Sequence, residues 1–298
     1  MTLKIDRMEL ADIAQPIRLA ETLLSQVDKS VGLSWPLQIE DIAYACGIKS
    51  IEHLETDGFE GGLIQDDSKQ HGHILVKRTS PGPRRRFTIG HELGHFLNPW
   101  HSAPSEGKFL CTANDFSLRN LKNSSQHQRQ EQEANEFSVN CLMPATQFKK
   151  QSRSHGSPHL ESIVKIADHF GTSNEATARR FVNLQDEICA VVFSKDGVVR
   201  YTDKQPGFPF LSVEPNRPLN SKTKSKLFAG EVGAISEQEE VDSLLWLSSA
   251  TADNWVLWEE VLIQKNGYRL TLLVGESREE ENQEDKDLEN SYTPKWRK

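Results

Sequence analysis

Two histidines stand four residues apart, with a glutamate directly after the first, in His91-Glu92-Leu93-Gly94-His95. On a helix, His91 and His95 share one face about one turn apart, so both imidazoles can reach a single ion at about 2.0–2.1 Å. Glu92 is then offset by about 100° around the helix. From there it cannot easily join the same coordination, but it can reach a water beside the ion. Amide hydrolysis needs that division of labour: a metal brings the pKa of water towards about 7 and polarises the carbonyl, and a carboxylate shuttles the proton. With every acid generously counted as glutamate, a shuffled chain of this composition would contain such a match roughly 0.05 times. The surrounding elements must therefore decide whether it means anything.

Pro83 suits the first turn of a helix, where its missing N–H would be unpaired anyway, and Asn98-Pro99 supplies a stop. The motif thus falls on a helix of about four turns. Gly90 and Gly94 each cost up to ~1 kcal/mol relative to Ala in a helix interior, and two such costs on one ridge imply close approach by another element. An ordinary bundle helix would explain Leu93, Phe96 and Leu97 as core, but would leave the glycines and the His-Glu-His arrangement as accidents. A third protein ligand is required of a catalytic zinc site. A downstream helix beginning near residue 128, RQEQEANEFSVNCLMP, offers Glu131, Glu133 and Glu136. Ala134, Phe137, Ser138 and Cys141 form its apolar stripe; Glu133 lies at one edge, Glu131 at the other, and Glu136 points further out. Geometry puts Glu133 modestly ahead and leaves the others open.

The 298-residue chain is long enough for two domains. Hydrophobic residues make up 36% and charged residues 26%, as in a soluble globular protein. No apolar run suggests a membrane span or a signal peptide, so a cytoplasmic location is expected. The four cysteines, Cys46, Cys111, Cys141 and Cys189, show no CxxC spacing and read as free packing thiols. Of the net charge of −8, residues 276–290 contribute −6, eight acids against Arg278 and Lys286. That balance argues against broad electrostatic binding to DNA.

Before the motif, residues 8–27 carry helical periodicity, with Pro16 opening a second piece, and 37–48 form a short helix stopped by Gly47. Apolar runs around Ile51–Leu54, Gly62–Ile64 and Ile74–Lys77 read as a small antiparallel sheet. Residues 101–127 read as a loop. Residues 159–184 read as two helices joined at Gly171-Thr172-Ser173, and on their face look like a helix-turn-helix. Beyond Asp186 the pattern changes to short alternating runs with KDG and KNG turns. Trp246 and the WVLWEE run there are either strand core or an aromatic binding surface, strand core being the commoner explanation.

Taken together, RRRFTIGHELGHFL (84–97) and EQEANEFSVNCLMP (131–144) resemble the paired signatures of the ImmA/IrrE family of metallopeptidases, an RFTxxHExGH helix followed by an ExEAxxFAxxLLMP helix. ILVKRTSPGPRRRF and IADHFGTSNEATARRFVNL extend the likeness, which covers about residues 35–185. The resemblance implies an α+β, zincin-like fold of gluzincin type in which His91, His95 and Glu133 bind Zn2+ and Glu92 is the catalytic base. Ser138 and Cys141-Leu142 depart from the family's Ala and Leu-Leu, altering packing. The resemblance also assigns the apparent helix-turn-helix to the peptidase domain and implies a helix-turn-helix transcriptional regulator as protein substrate, with DNA itself an unlikely partner.

The expectation is a helical arm (1–34), a zinc peptidase domain (35–185), a β-rich domain of unassigned role (186–275) and a disordered charged tail (276–298). The alternative is a non-catalytic, zinc-containing regulatory protein that binds a repressor or antitoxin-like partner. His101, just past the motif helix, either stabilises an oxyanion or caps the loop. His155, His159 and His169 match no ligand position.

Overall fold

The computed structural model describes residues 3–103, 108–113, 115 and 125–278. Compactness divides the chain into two units, 1–148 with 167–173 and 149–166 with 174–298. Helices α6 (Ala145–Arg153) and α7 (Leu160–Phe170) therefore contribute residues to both units, and α8 (Asn174–Leu184) falls in the second. Among the described residues no helix is long and apolar enough to cross a membrane.

In the first unit, Asp6 caps α1 (Arg7–Leu10) by accepting from the Met8 N–H, and Pro16 opens α2 (Pro16–Val31) at its first turn. The sequence therefore places this break correctly, although the second helix runs four residues further than its periodicity suggests. Leu19, Leu23 and Val27 of α2 are buried in the same core as Ile89, Leu93 and Phe96. Helix α3 (Ile39–Ala45) stops before Gly47, whose φ of 110° lies in the left-handed region; a Cβ there would sit 2.8 Å from the Gln70 carbonyl oxygen.

The sheet contains β1 (Ile48–Leu54), β2 (Gly61–Gln65), β3 (Gly72–Lys77) and β4 (Lys108–Cys111) in the order β1-β3-β2-β4. Strands β2 and β3 form the expected antiparallel hairpin, but β1 pairs with β3 in parallel. The sheet is thus mixed. Strand β4 lies where the sequence suggests only loop, on the far edge against β2. Two helices lie in the same unit: α4 (Gly82–Leu97), bounded by Pro81 and Asn98, and α5 (Gln126–Leu142). Helix α5 opens with a capping box in which Ser125 and Gln128 satisfy each other's backbone N–H.

The second unit carries β5 (Cys189–Lys195), β6 (Val198–Lys204), β7 (Glu239–Val241), β8 (Trp255–Ile263) and β9 (Tyr268–Ser277), antiparallel in the order β6-β5-β9-β8-β7. The two long hairpins turn at Asp196-Gly197 and Asn266-Gly267, where all four residues have positive φ, as the KDG and KNG signals imply. Trp246 is fully buried here and donates its indole N–H to Glu259 at 3.1 Å, which makes it core. The architecture is α+β with a β-rich C-terminal part. Strand β9 continues to Ser277, two residues into the stretch expected to be disordered; the rest of that expectation, from residue 279 on, lies outside the described residues.

Candidate metal centre

The close approach that two glycines demand of α4 comes from α5. A Cβ on Gly90 would lie 2.6 Å from Ser138 Oγ and 3.3 Å from Ser138 Cβ. One on Gly94 would lie 3.0 Å from a Phe137 ring carbon and 3.3 Å from Ala134 Cα. Ser138 also donates to the Phe87 carbonyl at 2.9 Å, so the serine replacing the family's alanine binds the two helices together. With backbones this near, side chains one and two turns away can meet head to head.

His91 Nε2 and His95 Nε2 lie 3.1 Å apart, and Glu131 brings its two carboxylate oxygens to 3.1 Å from His91 Nε2 and 3.4 Å from His95 Nε2. All three side chains are buried. Of the candidate glutamates on α5, the structure thus brings Glu131 to the histidine pair. Glu133 is half-exposed and accepts from His101 Nε2 at 2.9 Å instead. Glu136 is exposed. The reason lies in the helix packing. Ser138 crowds Gly90, and Phe137 with Ala134 crowds Gly94; Glu131, seven residues before Ser138 and three before Ala134, shares the side of the stripe that those two occupy.

Hydrogen bonds behind the imidazoles settle their orientation. Asn135 Nδ2 donates to the Asp115 carbonyl at 2.9 Å, which leaves Asn135 Oδ1 to accept from His91 Nδ1 at 3.0 Å. Glu133 accepts from the Nε2–H of His101, so the His101 Nδ1 of a neutral ring accepts from His95 Nδ1 at 2.9 Å. Burial holds His101 below its ordinary pKa, despite the opposing pull of Glu133, and pushes His95 down to about 3, which keeps both rings neutral. The Nδ1 atoms of His91 and His95 are then donors, and the Nε2 atoms of the two rings in neutral form are acceptors. The result is three acceptor atoms turned towards one another, two imidazole nitrogens and a carboxylate oxygen, a set that a cation satisfies. Tetrahedral coordination with nitrogen at about 2.0–2.1 Å would space such nitrogens roughly 3.3–3.4 Å apart, close to what is seen. The donor set fits zinc.

Cys111 joins this group. Its sulfur lies 4.0 Å from His95 Nε2 and 3.9 Å from Glu131 Oε1, and the ligand atoms of His91, His95, Cys111 and Glu131 all fall within 4.8 Å of one another. Period-two alternation along β4 puts Phe109 and Cys111 inward together. Phe109 stacks on the His95 ring, with centroids 4.4 Å apart, while Cys111 reaches the cluster. The signal in the sequence was the alternation in Lys108-Phe109-Leu110-Cys111, too short to stand out from a polar loop.

Glu92 is fully buried, and neither carboxylate oxygen has a conventional hydrogen-bond partner among the described residues. Burial, with the neighbouring Glu131 charge adding to it, pushes its carboxyl well above the ordinary range; the weak thiol donor of Cys111 offsets this only in part. Burial likewise raises the Cys111 thiol well above its usual value. A buried carboxyl short of partners is expensive to keep, and strongly perturbed buried carboxyls concentrate at functional sites.

The C-terminal end of α4 is fastened by Lys69, from the turn between β2 and β3. Its ammonium donates to the carbonyls of His95 at 3.3 Å, Asn98 at 2.7 Å and His101 at 2.7 Å. A cation at a helix C-terminus is also favoured by the helix dipole. Burial, helped by nearby Arg7, lowers Lys69 to about 8, which leaves it largely protonated at neutral pH. Asp66 holds the turn by accepting from the N–H groups of Gln70 and His71 and from the Ser68 hydroxyl.

Comparison with curated proteins returns no match. Residues 53–182 match the family described as the IrrE N-terminal-like domain, Peptidase_M78. That span takes in β2 to β4, the α4 and α5 signatures and the cluster between them, so the site lies within the stretch that is similar to the IrrE-like peptidase family.

Proposed function

We propose that the chain is a zinc-dependent endopeptidase in which His91, His95 and Glu131 hold the metal and Glu92 is the general base. The assignment of the third ligand moves from Glu133, which the resemblance implies, to Glu131. The observation that carries the reading is the convergence of three buried acceptors beside a buried carboxyl that has no conventional hydrogen-bond partner among the described residues. A bound zinc ion would supply a lowered pKa for water and polarisation of the scissile carbonyl. The residues of the chain do the rest. Glu92 takes the proton of the attacking water and later passes it to the leaving amine. Asn135 holds His91, and the series Glu133, His101, His95 holds the second imidazole in the tautomer that a ligand needs. His101 is thereby a positioning residue.

The substrate we infer, from the resemblance, is a helix-turn-helix transcriptional regulator. In support of a protein rather than DNA as partner, Arg179 of α8 is already engaged with Asp203 at 3.3 Å and Lys165 of α7 with Glu161 at 2.8 Å. The test is Glu92→Gln. The variant should bind one equivalent of zinc yet leave the product of the neighbouring gene intact, while the wild type cleaves it at a defined bond and a chelator stops the cleavage. Undiminished cleavage by the variant refutes the mechanism. The second reading, a metal site that is structural or regulatory, is favoured by one observation, the thiol of Cys111 at the edge of the ligand set.

A further inference from the structure

We propose that Cys111 is a displaceable fourth ligand, occupying the position that an attacking water needs and so keeping the peptidase latent. The inference rests on the metallopeptidase reading above and concerns the regulation of that same site. Tetrahedral zinc with sulfur at about 2.3 Å and nitrogen at about 2.0–2.1 Å places sulfur roughly 3.6 Å from each nitrogen. The Cys111 sulfur is 4.0 Å from His95 Nε2 and 3.9 Å from Glu131 Oε1, within a few tenths of an ångström of that spacing for both, and it lies within 4.8 Å of His91. The other cysteines offer a contrast. Cys46, Cys111 and Cys141 all belong to one apolar core, but among the described residues Cys111 is the thiol that also falls within the cluster of His91, His95 and Glu131.

Its mounting suits a ligand that can both bind and leave. The Cys111 carbonyl accepts from the Glu60 N–H at 2.9 Å, which fixes the backbone at the end of an edge strand, while the thiol depends on a single side-chain torsion. Coordination costs the thiol its proton, which passes to solvent; displacement by a water or a substrate carbonyl oxygen restores it. A closed site of four protein ligands and an open site of three differ by that one exchange. The structural and catalytic readings then become two states of one centre.

The test uses the full-length protein loaded with one equivalent of zinc and X-ray absorption at the zinc edge, with acetohydroxamate as probe. The wild type should show one sulfur at about 2.3 Å among lighter ligands at about 2.0–2.1 Å. In Cys111→Ala and the near-isosteric Cys111→Ser the sulfur should vanish while zinc stays bound. Hydroxamate should bind Cys111→Ala about tenfold more tightly, because no protein ligand has to leave. A wild-type site with only light ligands overturns the proposal and leaves the metallopeptidase reading standing. Loss of zinc from both variants would make Cys111 a structural ligand and also overturns it. Failure of the wild type to bind zinc removes the underlying reading itself.

Discussion

Replacing Gly90 by alanine tests whether the approach of α4 to α5 is what builds the site. The new Cβ would sit 2.6 Å from Ser138 Oγ and 3.3 Å from Ser138 Cβ. Overpacking of this kind costs about 2 kcal/mol, and moving Ser138 aside forfeits its bond to the Phe87 carbonyl, about 1 kcal/mol more. Against this stands a gain of about 1 kcal/mol in helix propensity. The expected net loss is about 2 kcal/mol. Ser138→Ala alone should lose about 1 kcal/mol with its hydrogen bond. In the double variant the 2.6 Å contact no longer exists and the propensity gain of about 1 kcal/mol offsets the lost hydrogen bond, so the pair should lie within about 1 kcal/mol of the wild type rather than at the additive loss of about 3. Urea unfolding of the four proteins measures the cycle, and competition with a chromophoric chelator measures zinc affinity alongside. Gly90→Ala should weaken zinc binding, since Glu131 and His91 sit on the two helices being pushed apart, and Ser138→Ala should restore most of it. A Gly90→Ala protein more stable than the wild type, as at an open helix site, would refute the reasoning.

The remaining predictions concern the ligands and their supports. Glu131→Gln should abolish tight zinc binding, whereas Glu133→Gln, acting through His101 and His95, should weaken it about tenfold; isothermal titration distinguishes the two, and the reverse order would restore Glu133 as the ligand. Lys69→Met should cost about 2–3 kcal/mol in chemical denaturation because three carbonyls lose a charged donor. Desolvation, the largest single influence, pulls the Asp66 carboxyl up, but the hydrogen bonds from Gln70, Ser68 and His71 together outweigh it and hold the group below its ordinary 3.8. A depressed carboxyl stabilises the fold above the unfolded value and loses that contribution as pH falls through the folded one. The stability advantage of the wild type over Asp66→Asn should therefore be level above about pH 5 and shrink below 3.8, and a gap that widens on acidification would contradict the assignment.

What could be read from the residues was local. Pro83 and Asn98-Pro99 bracket α4 because their effects act on the backbone at that point, and the glycines announce a neighbour because their cost is paid within the helix. Which neighbour, and from which side, is not a local property. Glu131 and Glu133 flank the α5 stripe almost symmetrically, and only the approach of α5 to α4, Ser138 against Gly90 and Ala134 with Phe137 against Gly94, separates them. Strand β4 was lost for a similar reason. Four alternating residues in a polar stretch carry little signal, and they become a strand through pairing with β2. The parallel β1–β3 contact likewise depends on topology, since the residues suit either direction.

Lys69 ties the first unit together in time as well as in space. A single ammonium from the β2–β3 turn closes the last turn of α4 and the first residues after it, so the hairpin and the helix end share their hydrogen bonds. Fraying of the hairpin leaves those carbonyls without their donor, and fraying of the helix end leaves the ammonium without its acceptors. The amides of the hairpin and of the last turns of α4 should accordingly exchange with deuterium as one cooperative unit, with the register of His95 locked as soon as the turn has closed.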